Sequence, residues 1–133
     1  MSANLDLVRS LFALWERGDF SSTDWADPEI EYVVADGPAP GTWMGLAGMA
    51  ECWRDILSAW DDLRTEVNEY RELDDGRVLA LTHRRGRGKT SGLEIGQMRT
   101  GGAHLLTVRN SKVTRYVFYW EGERALADLS LGL

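Results

Sequence analysis

The chain has 133 residues, one cysteine and a formal net charge of −6 at pH 7, and these values exclude several classes of protein. A chain of this length builds one hydrophobic core, so residues 1–133 are expected to form a single domain. A lone cysteine excludes an intrachain disulfide. The excess of acidic residues argues against a nucleic-acid partner. The sequence shows no long apolar run and no signal-peptide pattern, which predicts a cytoplasmic protein without a membrane partner.

The helices are predicted from apolar residues at helical spacing. One such stripe runs from Leu5 to Trp15 and ends just before Gly18, a residue type that often follows the last helical turn. The clearest stripe runs from Leu46 to Trp60 and predicts the main packing helix. Together these patterns predict helices over residues 4–17, 21–25, 46–60 and 123–131.

The strands are predicted from alternating side chains and from turn residues. Ile30, Tyr32 and Val34 share one face of the first strand, and residues 36–41 form a loop rich in proline and glycine. A bulge or kink is expected at Gly101-Gly102. The predicted strands cover 29–35, 63–73, 77–85, 93–99 and a hairpin over 103–120 that turns at Asn110 and Ser111.

This order of elements predicts an α+β fold. Four successive strands pair with one another, so the sheet is expected to be mostly antiparallel and strongly curved, with the helices on one of its faces. Both faces of the last hairpin are apolar. The face without helices is therefore expected to be covered by a second sheet or by a second subunit.

Several short segments accompany this order of elements: Gly18-Asp19, Trp25-Ala26-Asp27-Pro28, Gly45, Asn110-Ser111-Lys112-Val113, Tyr119-Trp120 and Ala125-Leu126. With them, nearly the whole chain resembles the nuclear transport factor 2-like (cystatin-like) cone folds, which include the SnoaL-like polyketide cyclases and the ketosteroid isomerases. The resemblance implies a sheet that forms a cone, with the N-terminal helices packed on its concave face around a pocket. It also implies a homodimer through the outer sheet face.

The resemblance identifies the positions that act in a ketosteroid isomerase, and most of them are replaced here. The position of the aspartate base corresponds to Val33 or Val34, and the nearest carboxylate is Asp36 in the following loop. The oxyanion-binding tyrosine corresponds to Leu11 and its protonated acid partner to His104. The chain is therefore not expected to be a ketosteroid isomerase.

His104 is the candidate catalytic residue, because an imidazole acts as an acid or a base near pH 7. Period-two alternation predicts that His104 and Trp120 both face the helix-covered concavity. The alternative is a buried histidine with a purely structural role. The facing of Glu94 is open, and Trp53 suits a core position as well as a pocket. The candidate ligand-binding residues are Tyr32, Trp43, Trp53, Glu94, Tyr116, Phe118 and Trp120.

Two other groups of side chains receive weaker functional interpretations. His83 is expected to be structural or exposed. The basic run from Arg84 to Lys89 is expected to be a solvated hairpin end, with a binding patch for an anion or an acidic partner as the alternative. Two histidines without a Cys/His cluster predict no metal site, and no organic cofactor is implied.

These observations favour a protein that binds a small, apolar organic molecule in an aromatic conical pocket. If it is an enzyme, the expected chemistry is proton transfer, as in isomerisation, aldol-type cyclisation or water addition. The alternative is a non-catalytic module of the same fold that binds a ligand or a protein. The sequence leaves the choice between them open.

Overall fold

The computed structural model describes residues 3–17, 24–36, 40–58, 60–73, 76–88 and 101–129. The helices are α1 (Ala3–Glu16), α2 (Gly45–Ser58) and α3 (Gly122–Asp128). The strands are β1 (Ala26–Val34), β2 (Gly41–Met44), β3 (Trp60–Glu72), β4 (Arg77–Gly88), β5 (Gly101–Arg109) and β6 (Lys112–Tyr119). These elements confirm the α+β class.

The six strands form one sheet in the order β2-β1-β6-β5-β4-β3. Every neighbouring pair is antiparallel except β1 and β6, which run parallel. The register shifts within β1–β6, β3–β4 and β5–β6, and such irregularities bend and twist a sheet. The curved, mostly antiparallel sheet predicted from the sequence is confirmed.

The two faces of the sheet carry separate hydrophobic clusters. The inner cluster joins the sheet to α1 and α2 and includes Phe12, Ile30 and Met49, all fully buried. The outer cluster joins Leu79 and other residues of the opposite face to α3. The expectation that all helices share one face is therefore wrong for α3, which covers part of the outer face.

The hairpin between β5 and β6 turns where the sequence predicts. Asn110 and Ser111 have φ values of 52° and 63°, both in the left-handed region. A two-residue turn with positive φ at both positions matches the right-handed twist of the strands that it joins. This turn sets the register that places His104 opposite Phe118.

Several predicted boundaries differ from the structure. Trp60 begins β3 instead of ending α2, and Gly41–Met44 forms an edge strand where the sequence suggested the end of a loop. The backbone of residues 84–88 belongs to β4, so this strand extends beyond the end predicted at residue 85. The predicted strand over residues 93–99 lies outside the described residues, as do most residues of the helix predicted over 21–25.

Gly101 and Gly102 pair regularly with His83 and Thr82, so the bulge expected there is absent from the described pairing. These glycines matter because α3 begins against them. A Cβ atom added at Gly122 would lie 3.3 Å from the carbonyl oxygen of Gly102. Small residues on both sides therefore permit the close approach of α3 to β5.

Candidate functional site

Aromatic rings meet on the inner face of the sheet, beneath α1 and α2. The indoles of Trp25 and Trp53 stack with their centroids 5.9 Å apart, and Trp15 stacks on Tyr116 at 5.8 Å. Tyr32 meets the edge of Tyr116 at 5.1 Å. Such offset and edge-to-face contacts each add stability beyond the apolar area that they bury. The cluster therefore forms a rigid aromatic wall.

His104 lies within this aromatic environment. It is 6% exposed, and its ring is 5.1 Å from that of Phe12 on α1 and 4.9 Å from that of Phe118 on β6. The contact with α1 confirms that His104 faces the helix-covered side of the sheet. The side chain thus occupies the face that the sequence predicts for a catalytic group.

The hydroxyl of Tyr116 is the polar partner of His104. The Tyr116 oxygen lies 2.5 Å from His104 Nδ1, and both side chains are buried. Burial raises the pKa of the Tyr116 hydroxyl well above its ordinary value, and the neighbouring Tyr32 raises it further. Tyr116 therefore stays a neutral phenol, which either donates to Nδ1 or accepts from Nδ1–H.

Tyr32 lies beside Tyr116 and has a polar partner of its own. Burial raises the pKa of its hydroxyl and the nearby Cys52 adds to the shift, while a hydrogen bond with Trp53 lowers it. The indole N–H of Trp53 is a donor only, so the Tyr32 oxygen accepts this bond. The sheet brings Tyr32 and Tyr116 side by side, because they are register partners in β1 and β6.

The remaining candidate ligand-binding residues sit at the border of the aromatic cluster. Trp43 is the register partner of Tyr32 in β2, and its ring is 6.3 Å from that of Tyr32. Trp120 packs against the inner cluster and lies 5.1 Å from the ring of Phe118. Trp53, Trp43 and Trp120 are only partly buried, so the border of the cluster retains access to solvent.

Two other ionisable side chains of the described residues, Asp36 and His83, have partners outside the site. Asp36 is 8% exposed, and its carboxylate accepts hydrogen bonds from the backbone N–H groups of Trp120 and Glu121. His83 contacts Asn68 and Glu66 and is 39% exposed at its side chain, as predicted for a structural or exposed residue. Glu94 lies outside the described residues.

The described ranges contain no group of three or more His, Cys, Asp or Glu side chains that is arranged to hold a metal ion. Within the same ranges, no helix is both long and apolar enough to cross a membrane.

Comparison with known proteins gives the family. The SnoaL-like domain matches residues 8–116 of this chain. The chain belongs to the SnoaL-like domain family. An uncharacterized protein of Mycobacterium tuberculosis is 32% identical over 116 residues, which is 85% of each sequence. The SnoaL-like membership predicted from the sequence is confirmed.

Solved structures share the same fold. TerC, crystallised with polyporic acid, is 22% identical and has a TM-score of 0.74 over 96% of this chain and 98% of its own. A nuclear transport factor 2-like protein of unknown function from Burkholderia pseudomallei has a TM-score of 0.78 at 18% identity, over 96% of this chain and 97% of its own. At these identities the similarity shows the shared fold alone, which is the nuclear transport factor 2-like fold.

The sequence predicted the residues of the candidate site one by one and did not show which of them contact one another. It selected His104, Tyr116 and Tyr32 separately, and the Tyr116–His104 hydrogen bond was missed. Tyr116 and His104 both occupy inward positions of neighbouring strands, so the register of the hairpin was the available signal. Phe12 and Trp15 were assigned only to a helical stripe, yet both contact site residues.

Proposed function

We propose that this SnoaL-like protein binds a small, neutral aromatic molecule in its inner aromatic cluster and catalyses proton transfer there. The observation that carries the proposal is the buried hydrogen bond of 2.5 Å between Tyr116 and His104 Nδ1. An acid-base residue needs a partner that fixes its ring and its tautomer. The surrounding rings favour an apolar ligand.

The Tyr116–His104 pair suits a ligand with an acidic C–H bond beside a carbonyl group. When the Tyr116 oxygen accepts from Nδ1–H, Nε2 is the basic nitrogen and takes the proton, which leaves an enolate and an imidazolium. When the proton returns to carbon, the ketone and the neutral imidazole form again. The neutral Tyr116 hydroxyl stays hydrogen-bonded to Nδ1 throughout, so the imidazole keeps its orientation.

Deuterium exchange into 2-tetralone, a neutral aromatic ketone, tests this chemistry without knowledge of the natural substrate. Nuclear magnetic resonance would follow the loss of the protons next to the carbonyl in D₂O. The native protein is expected to accelerate exchange. His104→Gln should reduce that acceleration roughly 100-fold or more, and Tyr116→Phe about tenfold, the loss of one hydrogen bond that orients the base.

His83→Gln is the matched control, because this second histidine is exposed and its described contacts are Asn68 and Glu66. It should leave the exchange rate unchanged. Equal rates for the native protein and His104→Gln would contradict the catalytic role. Binding of 2-tetralone without any acceleration of exchange would favour the second candidate.

The second candidate is a non-catalytic binding module of the same fold. The observation that favours it is the mutual contact of Trp15, Trp25 and Trp53, with ring centroids 5.4–5.9 Å apart. Rings this close fill space that an enzyme of this fold would give to its substrate. Tryptophan fluorescence during titration with 2-tetralone measures binding whether or not exchange is catalysed, because a bound ligand would quench these indoles. Quenching without faster exchange would identify the binding module.

A homodimer through the outer sheet face belongs to the same proposal. Val33 and Leu81 pack against the outer cluster but stay partly exposed, which supports contact with a second copy beside α3. Light scattering after size-exclusion chromatography should give twice the chain mass of 15.0 kDa. Val33→Asp should shift the protein towards the monomer, and a native monomer at the same concentration would contradict the dimer.

A further inference from the structure

Besides the tyrosines, the tryptophans and Cys52, three polar side chains are buried among the described residues: Asp36, Thr82 and His104. The carboxylate of Asp36 accepts two backbone hydrogen bonds, and His104 is bonded to Tyr116. Thr82 differs from both. It is 1% exposed, and its Oγ1 makes no hydrogen bond with any group of the described chain. Burying a hydroxyl without a partner is costly, so such an atom calls for an explanation.

The register places Thr82 on the inner face, next to the proposed catalytic histidine. Thr82 lies opposite Val67 of β3, which packs against the inner cluster, and opposite Gly102 of β5. Ala80, two residues earlier in β4, is the register partner of His104. Since residues two apart share a face, Thr82 and His104 are diagonal neighbours on the same side of the sheet.

The groups around Thr82 are small. Gly102 offers no side chain and Ala80 only a methyl group, so no bulky neighbour separates this part of the inner face from the His104 ring. A cavity of about 450 Å³ also reaches Thr82, but Leu81, Leu126 and Gly122 in its wall place it on the outer side of the sheet, beside α3. The inner face between Thr82 and His104 is lined by small groups instead.

We infer that the Thr82 hydroxyl recognises a neutral oxygen of the ligand, a carbonyl or a hydroxyl group, while His104 acts on the carbon beside it. The inference rests on the proposed function and names its substrate class. A hydroxyl both donates and accepts, so it suits either kind of oxygen. A charged group is disfavoured, because the Thr82 hydroxyl carries no charge to pair with it and a buried charge without a partner is costly.

Thr82→Val tests the inference, because valine keeps the shape and removes the hydroxyl. Equilibrium dialysis would compare the affinities for 2-tetralone and for tetralin, which has the same ring system without the carbonyl oxygen. The native protein should prefer 2-tetralone about fivefold, the equivalent of one net hydrogen bond. Thr82→Val should lose this preference, and Thr82→Ser should keep it. Thr107→Val, on the outward-facing side of β5, is the control and should keep it as well.

The melting temperature of the ligand-free protein gives an independent readout. Thr82→Val should raise it, because the substitution removes an unpaired buried hydroxyl. A lower melting temperature would show that the hydroxyl is already satisfied and would overturn the inference. Equal affinities of the native protein for both probes would overturn the role of Thr82 and leave the binding function standing. Failure of the native protein to bind either probe would overturn both.

Discussion

Asp36 follows β1, and its carboxylate accepts hydrogen bonds from the backbone just before α3. The loss of stability on removing this carboxylate can be estimated from the two bonds. One carboxylate oxygen lies 2.6 Å from the backbone nitrogen of Trp120 and the other 3.2 Å from that of Glu121. Hydrogen bonds to a charged group contribute about 1.5–3 kcal/mol each, and the longer one counts at the lower end. Asp36→Ala should therefore lower the free energy of unfolding by about 3–4.5 kcal/mol.

Urea titration followed by tryptophan fluorescence would measure the loss. Asp36→Asn retains one acceptor oxygen and should cost less than Asp36→Ala. The matched control is Asp27→Ala, because Asp27 accepts one solvent-exposed hydrogen bond of 2.8 Å from Glu29. That substitution should cost less than about 1 kcal/mol. The reasoning would be refuted if Asp36→Ala were no more destabilising than Asp27→Ala.

Three further predictions concern stability. Trp53→Ala should cost about 3–5 kcal/mol in the same titration, because it removes ring contacts with its aromatic neighbours; a negligible loss would mean that Trp53 lines open space. Ser111→Gly should stabilise the protein by about 0.5–1 kcal/mol, since a φ of 63° is costly for serine and not for glycine, and a loss of stability would refute this. Burial raises the pKa of the Tyr32 and Tyr116 hydroxyls, so above pH 10 both keep protons in the folded protein that they release in the unfolded chain. The free energy of unfolding should therefore fall by up to about 1.4 kcal/mol per pH unit for each of these tyrosines. Tyr32→Phe should make this decline shallower, and an unchanged slope would contradict the assignment.

The sequence predicted most of the fold because its signals are local. The stripe that includes Val8, Phe12 and Trp15 gives α1, and Asn110 with Ser111 gives the turn between β5 and β6. Trp60 was assigned to the wrong element, because an apolar residue one turn beyond a helical stripe fits a helix as well as a strand. The strand at Gly41–Met44 was missed because its pairing with β1 is a tertiary feature.

The sequence predicted which residues belong to the candidate site, and it did not predict which of them contact one another. Period-two alternation placed His104 and Trp120 on the inner face, and the contacts of both residues confirm it. The hydrogen bond to Tyr116 depends on which residues face each other across β5 and β6, and one irregularity between Thr107 and Val108 shifts that register. The position of α3 on the outer face depends equally on packing, since Leu126 meets residues distant in the chain.

The most direct test of the proposed function is a crystal structure of the protein grown with 2-tetralone. The ketone is expected in the inner cluster, against the rings of Tyr32 and Tyr116, with a polar atom or an acidic carbon within reach of His104. A structure in which Trp15, Trp25 and Trp53 stay in mutual contact, and the ketone is absent from the His104 side of the sheet, would contradict this expectation.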